Sequence, residues 1–274
     1  MNPAEMNTVI AVVTHRPYRI CEDELYLPLM AGSDGMPEAE TTGYVRDDSG
    51  DNISDRNPWF CELTGLYWMW KNSDADNIGI CHYRRYFARK KELSLRDRVR
   101  MLRGSCSPFE YVLRNEEASR LMERYPVVLP CPRRYHIESS YSHFAHSHGA
   151  YALDETRRII IDRHPEYIEA YDTVMARTSG HRFNMFIMRK DLLDRYCSWL
   201  FDILFELEKN IATGKTGNVP DTRRLYGHVS ERLLDVWLEK EGCGYCEIPY
   251  VFIGKEHLVR KAAAMIVRKI RAKS

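Results

Sequence analysis

The sequence contains no long apolar run and no excess of charge of either sign. None of its 274 residues belongs to an apolar stretch of about 18, and the N-terminus lacks the segments of a secretory signal. Its 40 Lys and Arg balance 39 Asp and Glu, so no global field favours nucleic acid. We therefore expect a cytoplasmic protein without a membrane span and without nucleic acid as a partner.

The eight cysteines do not follow a disulfide or zinc-binding pattern. They are scattered through hydrophobic segments, which is typical of reduced, buried thiols. Only Cys243 and Cys246 have the spacing of paired metal ligands, and a zinc ribbon needs a second such pair. Two thiols near a turn are the simpler interpretation. Internal repeats and low-complexity tracts are also lacking.

Short β-branched runs alternate with helical patterns, which predicts an α/β fold with a mostly parallel central sheet flanked by helices. Strands are predicted at 8–14, 78–81, 126–130 and 184–188, and a long loop at 31–57. Helices are predicted at 57–72, 115–124, 153–162, 165–177, 191–210 and 226–238. The last helix is expected to be capped by Ser230 or by residues just before it. The C-terminal part of the chain is thus expected to be helical.

The length allows one large domain, residues 1–254, followed by an appendage at residues 255–274. The appendage holds seven Lys or Arg and one acid, with apolar residues at helical spacing. A basic amphipathic helix is the prediction. Two interpretations remain open: the helix packs on the domain with its charged face in water, or it docks on anionic lipid at the inner face of a membrane.

His82, Arg84 and Arg85 directly follow the predicted strand 78–81. The carboxyl ends of parallel strands border the ligand crevice of an open α/β sheet. Guanidinium groups offer a planar, permanently charged set of donors to phosphate oxygens, so this cluster can neutralise a diphosphate without a metal ion. The alternative is a surface arginine pair that balances local acids.

Two carboxylates are candidates for chemistry. Glu231 is expected in the first turn of the predicted helix 226–238, where it can accept the proton of an attacking hydroxyl. A helix-dipole partner, or an ion pair with Arg232, is its alternative role. Glu62 lies on a predicted helix with three tryptophans, so it is either paired in the core or directed at a ligand.

A second class of enzyme remains possible because histidines and aspartates also occur in clusters. Asp74 and Asp76 form an Asp-x-Asp pair, but they precede the predicted strand 78–81 and are interpreted as a turn. The spacing of the histidines at 143, 146 and 148 fits no standard zinc signature, so they bind substrate hydroxyls, hold a metal or are structural. The alternative function is a metal-dependent hydrolase or phosphotransferase that uses these histidines with Asp74, Asp76 or Asp154.

Six segments in one order carry a resemblance to a known family. They are His15–Tyr18, Asp51–Ser54, Asn57–Trp68, Gly79–Phe87, Phe183–Met188 and Ser230–Leu233. Together they resemble the bacterial capsule and O-antigen glycosyltransferases, which were long catalogued as a domain of unknown function. The resemblance runs from about residue 9 to residue 253, and the ordered set is more specific than any single motif.

The resemblance implies an A-type glycosyltransferase fold and, for one branch, inverting transfer of galactofuranose from UDP-galactofuranose. The implied partners are a UDP-sugar and a polysaccharide or lipid-linked glycan acceptor. Glu231 would be the base. The residues with an implied donor-site role are His15, Asn52, Asn57, Glu62, His82, Arg84 and Arg85.

Glycosyltransferases of this fold usually hold a divalent metal at an Asp-x-Asp where a strand ends. In this sequence His82, Arg84 and Arg85 occupy the analogous place, so we expect no required metal cofactor. A third hypothesis is a non-catalytic adaptor that binds glycan through its aromatic residues and membrane through residues 255–274.

Overall fold

The structure is a computed structural model that describes residues 6–36, 42–89, 94–102, 105–135, 137–214 and 223–254. The predicted basic helix at 255–274 lies outside the described residues. Two patterns account for the fold: short continuous apolar runs form the central strands, and apolar residues at helical spacing form the helices that cover the sheet.

A mixed sheet lies at the centre of the molecule. The strands are β1 (Thr8–Thr14), β2 (Tyr26–Met30), β3 (Val45–Arg46), β4 (Asn77–His82), β5 (Arg85–Phe87), β6 (Val127–Pro130), β7 (Arg133–Arg134), β8 (Ser179–Gly180), β9 (Phe186–Arg189), β10 (Tyr245–Ile248) and β11 (Tyr250–Phe252). The main sheet has the order β10-β6-β9-β4-β1-β2-β3, with β5 joining β4 to β11, while β7 and β8 pair separately. Along the main order the neighbours are parallel except where β9 runs between β4 and β6. The pairs of β5 with β4 and β11, and of β7 with β8, are antiparallel.

Helices cover the sheet and dominate the second half of the chain. They are α1 (Asn57–Phe60), α2 (Leu63–Asn72), α3 (Leu95–Leu102), α4 (Asn115–Met122), α5 (Ser140–His148), α6 (Tyr151–Arg163), α7 (Ile168–Ala176), α8 (Lys190–Ala212) and α9 (Leu225–Glu241). The prediction of a mostly parallel sheet flanked by helices, with a helical C-terminal part, is confirmed. None of the helices in the described ranges has the length and hydrophobicity needed to cross a bilayer.

The core lies on both faces of the sheet, and β1 shows why. Ala11 and Val13 face the hydrophobic cluster formed with α2 and α6 to α9. Ile10 and Val12 face the opposite cluster, which includes residues of α4, β5 and β11. A strand that is buried on both sides reads as a continuous apolar run, so residues 8–14 could be predicted as a strand from sequence.

Two predicted helices differ from the structure at the positions that matter for function. The helix predicted at 57–72 is broken after Phe60, because Cys61 adopts a positive φ of 52° that ends α1. Glu62 therefore lies at the junction of α1 and α2 rather than within a helix. Helix α9 begins at Leu225, so Ser230 does not cap it, and Glu231 lies in its second turn, not its first.

Candidate active site

The strand register brings several loops to one edge of the sheet. Strands β1, β2 and β4 are parallel, so the residues after Thr14, Met30 and His82 lie at the same edge. Strand β9 is antiparallel, and its first residue Phe186 pairs with Ile80, which places the loop before β9 at that edge too. This edge is the location of the candidate active site.

A cationic group lies beyond the ends of β1 and β4. The phenol of Tyr18 accepts hydrogen bonds from Arg16 Nε at 2.8 Å and from Arg84 Nη2 at 3.4 Å. The ring of Tyr18 stacks on Tyr83, with centroids 4.0 Å apart. The hydrogen bond from Arg84 is the main cause that lowers the pKa of Tyr18 to about 8. Two guanidinium groups thus converge where an anion can bind.

Two histidines at this edge are uncharged near neutral pH. Burial, followed by the charges of Arg85 and Arg84, lowers the pKa of His82 to about 3. Burial and the charge of Arg16 also lower the pKa of His15, whose ring lies against Tyr83 at 5.5 Å between centroids. His82 can therefore contribute a hydrogen bond at the site but no positive charge. Its predicted role at the diphosphate is thus limited to hydrogen bonding.

Arg224 links the two sides of the site. It lies immediately before α9, and its backbone N–H donates to Pro58 O at 3.0 Å. Its charge acts on the pKa values of His15 and His82 on one side and of Glu62 on the other. A cation at a helix N-terminus adds to the positive end of the helix dipole, so this position favours an anionic ligand.

The two candidate carboxylates face the same loop. Glu62 Oε1 accepts a hydrogen bond from Asn184 Nδ2 at 2.8 Å, and Glu231 Oε1 accepts one from the backbone N–H of Phe183 at 3.2 Å. Burial, with a smaller contribution from the charge of Glu231, raises the pKa of Glu62. The side chain of Glu231 is 18% exposed, so substrate can reach it.

Arg85 has different neighbours from Arg84. Its guanidinium lies 4.2 Å from the ring centroid of Phe183. Burial lowers the pKa of Arg85, and the nearby Tyr250, Glu231 and Glu62 partly restore it. The two adjacent arginines therefore serve different parts of the site: Arg84 lies with the cations beyond β1, and Arg85 lies with the carboxylates.

Strained backbone surrounds these groups. Across the described residues, positive φ angles at non-glycine positions occur at Cys61, Phe183, Asn184 and Arg224. Each residue is adjacent to Glu62, contacts Glu62 or Glu231, or acts electrostatically on Glu62. Unfavourable φ angles persist where surrounding contacts enforce them, and such strain often marks functional sites.

Comparison with known proteins places the chain in a family. A family model described as a domain of unknown function, DUF4422, matches residues 9–242. The chain belongs to the DUF4422 family. A solved apo structure of WbbM, a bifunctional glycosyltransferase, is similar with a TM-score of 0.74 and 28% sequence identity. No curated protein matches.

The similarity to WbbM covers 90% of this DUF4422 chain and 45% of the WbbM chain, so the chain spans less than half the length of that protein. The fold is that of a glycosyltransferase, as the resemblance of the sequence implied. The bifunctional character belongs to WbbM as a whole.

A buried network supports the loop that faces the carboxylates in this DUF4422 structure. Arg182, 3% exposed, donates to Asp235 Oδ2 at 3.3 Å, to the backbone O of Glu231 at 3.0 Å and to Ser140 Oγ at 2.8 Å. Asp235 also accepts hydrogen bonds from the backbone and ring nitrogens of His181. The network joins α5, α9 and the loop before β9, and so positions Phe183 and Asn184.

Two predicted donor-site residues form local turns. Asn52 donates to Gly50 O at 3.0 Å and accepts from Ser54 N, and Asn57 donates to Cys61 O at 2.9 Å and to Thr64 Oγ1. These contacts shape the loop that leads into α1 and α2. No described contact joins either asparagine to the arginines or carboxylates of the site, so their donor-site role stays a prediction.

The three histidines for which substrate binding, metal binding and a structural role were left open lie on helix α5. His143 stacks on Tyr135, His146 pairs with Glu138, and His148 stacks on His228. Within the described ranges, no three His, Cys, Asp or Glu side chains are arranged to hold a metal ion.

Two aspartates of the hydrolase alternative lie away from these histidines, and the third contacts their helix. Asp74 and Asp76 precede β4, at the opposite edge of the sheet, where Asp76 accepts a hydrogen bond from Asn7 N. Asp154 accepts one from Tyr141. Asp74 and Asp76 therefore cannot act with the histidines. The predicted turn at 74–76 is an irregular connection between α2 and β4, with a bend at Asp76.

Three residues that shape the site were not predictable from the sequence: Arg224, Arg182 and Asp235. Arg224 follows no strand and belongs to no motif, so no signal distinguished it from other surface arginines. Arg182 and Asp235 are buried charged residues, and burial of a charge cannot be read from local sequence. The left-handed Phe183 and Asn184 were predicted as part of, or next to, a strand that begins only at Phe186.

Proposed function

We propose that the chain is a glycosyltransferase that moves a sugar from a UDP-sugar donor to a polysaccharide or lipid-linked glycan, with inversion. The observation that carries the proposal is the convergence of the cations Arg16, Arg84 and Arg224 and the carboxylates Glu62 and Glu231 at one edge of the sheet. The family resemblance suggests galactofuranose as the donor sugar.

In the proposed reaction, the acceptor hydroxyl oxygen forms a bond to the anomeric carbon as the bond from that carbon to the β-phosphate oxygen breaks. Glu231 accepts the hydroxyl proton, which is the role of a general base. Negative charge accumulates on the departing UDP, where Arg84 and Arg224 stabilise it. Arg85, whose charge acts on both carboxylates, would lie between the base and the diphosphate.

Glu62 fits a role near the sugar better than one at the diphosphate. A carboxylate next to phosphate oxygens would repel them. Its raised pKa and its hydrogen bond from Asn184 instead suit contact with a sugar hydroxyl. We propose that permanently charged arginines replace a divalent metal at the diphosphate, and that residues 255–274 hold the enzyme at the inner membrane surface.

A panel of UDP-, GDP- and dTDP-sugars tests the proposal. We expect a UDP-sugar to raise the melting temperature and to be turned over in buffer with EDTA as well as with manganese. Mass spectrometry of the glycan product and NMR of its anomeric configuration measure transfer and inversion. If the chain binds none of the nucleotide sugars, the proposed glycosyltransferase function is rejected. If it is active only with manganese, the metal-independent mechanism is rejected.

A further inference from the structure

Two imidazole rings stack beside the proposed base. His148 is the last residue of α5, and its ring lies 4.4 Å from that of His228 at an interplanar angle of 27°. His228 precedes Glu231 by three residues on α9, so both side chains lie on the same face of that helix. Both histidines are half-buried, and no hydrogen bond joins either ring to another described residue.

These rings are uncharged near neutral pH. Burial, with the neighbouring His148 and Arg224, lowers the pKa of His228 to about 4, and burial also lowers the pKa of His148. A neutral imidazole offers one N–H donor and one nitrogen acceptor, as a hydroxyl does. An uncharged ligand with several hydroxyls therefore suits this pair better than an anion.

The position of the pair separates it from the proposed diphosphate site. Arg224 acts on the pKa values of both His82 and His228, whereas Arg84 acts on that of His82 and Arg232 on that of His228. Arg224 therefore stands between the cations beyond β1 and the histidine pair. The pair thus lies on the α5 side of Glu231. A group bound there is close to the proposed base without occupying the position of the donor diphosphate.

We propose that His148 and His228 form the subsite that binds hydroxyl groups of the acceptor glycan next to Glu231. The inference rests on the proposed function, because it takes Glu231 as the base. The imidazoles hydrogen-bond to hydroxyls of the acceptor sugar and hold its reactive hydroxyl toward the Glu231 carboxylate.

Saturation-transfer NMR on the full chain in the presence of UDP tests the subsite, with octyl β-galactopyranoside, octyl β-glucopyranoside and octyl α-mannopyranoside as probes. We expect at least one glycoside to bind the wild-type protein. His148→Ala and His228→Ala should each weaken that binding about tenfold, the effect of losing one or two hydrogen bonds. His146→Ala is the matched control, because His146 lies on the same helix and pairs with Glu138.

Two further variants separate hydrogen bonding from packing. His228→Asn keeps a donor and an acceptor and should retain most of the binding, whereas His228→Phe keeps an aromatic ring and should not. Calorimetry with UDP on the same samples separates the two proposals. If the wild-type protein does not bind UDP, the proposed function is overturned. UDP binding with no bound glycoside, or with glycoside binding unchanged in both alanine variants, would overturn the subsite alone.

Discussion

Asn184 connects helix α9 to Glu62, which lies 122 residues before it in the sequence. Its Nδ2 donates to Glu62 Oε1 at 2.8 Å and to the backbone O of Gly227 at 3.0 Å. Asparagine tolerates the left-handed φ of 50° at this position better than most residues, and its amide still reaches both acceptors. Asn184 thus has two roles: it adopts the left-handed backbone conformation at this position, and its side chain orients the carboxylate of Glu62.

Replacing Asn184 separates these two roles. Asn184→Gly keeps the left-handed backbone but removes the amide, so we expect stability to fall by only about 1 kcal/mol while turnover falls strongly. Asn184→Ala adds backbone strain and should lose about 1 kcal/mol more. Urea unfolding and a transfer assay measure both effects. Full activity of the glycine variant would show that Glu62 needs no partner.

Glu231→Gln tests the proposed base. The amide cannot accept the proton of the acceptor hydroxyl, so we expect turnover to fall by about 10²- to 10⁴-fold with UDP affinity unchanged. Glu239→Gln is the control, because Glu239 is on the same helix and pairs with Arg177 at the surface. Calorimetry and a transfer assay give the two quantities, and unchanged turnover in Glu231→Gln removes this residue from the mechanism.

Arg84→Ala tests the proposed diphosphate contact. Loss of a charge-assisted hydrogen bond to phosphate should weaken UDP binding by about tenfold or more and slow transfer. Arg89→Ala provides the comparison, since Arg89 pairs with Glu117 on the surface. Calorimetry measures the dissociation constants. Equal UDP affinity in the Arg84→Ala variant and the wild type would place the diphosphate elsewhere.

The lowered pKa of Tyr18 leads us to expect that donor binding depends on pH. Its pKa of about 8 means that it becomes a phenolate as the pH rises above 8, directly beside Arg16 and Arg84. The phenolate then competes with the diphosphate for these guanidinium groups, so wild-type UDP affinity should fall between pH 7 and pH 9.5. Tyr18→Phe should remove that fall, and Tyr125→Phe, an exposed tyrosine, should keep it. If the UDP affinity of Tyr18→Phe falls with pH as the wild-type affinity does, competition by the Tyr18 phenolate is not the cause.

His181 predicts a pH dependence of stability. Burial alone would lower its pKa, but the hydrogen bonds and charges of Asp235 and Glu247 raise it above the usual value. The protonated form therefore stabilises the fold fully below the unfolded pKa of about 6.5, and this contribution is lost as the pH rises through the folded pKa. Each unit of elevation corresponds to about 1.4 kcal/mol.

The comparison of wild type with His181→Gln isolates this effect. Urea unfolding should show that the wild type exceeds His181→Gln in free energy of unfolding by more at pH 6 than at pH 9. A difference that grows with pH means that His181 is buried uncharged.

Local pattern was sufficient for the longest elements of this fold, but not for short strands such as β2, β5 and β10. The strand at 8–14 agrees residue for residue with β1, because burial on both faces leaves a continuous apolar run that needs no tertiary information. The helix predicted at 191–210 corresponds to α8 within a few residues, since its apolar spacing extends over many turns. The cluster His82, Arg84 and Arg85 at the end of β4 was also visible, because the end of a strand can be read from sequence.

Tertiary structure alone decided how the site is assembled. The break after Phe60, the left-handed loop at Phe183 and Asn184, and the approach of Arg224 to Glu62 depend on contacts between residues far apart in the chain. Long-range packing enforces a positive φ at a non-glycine residue, so local preference gives no sign of it. The sequence determined which groups lie at the ends of the strands. Folding determined which of these groups come close enough to change one another's pKa values.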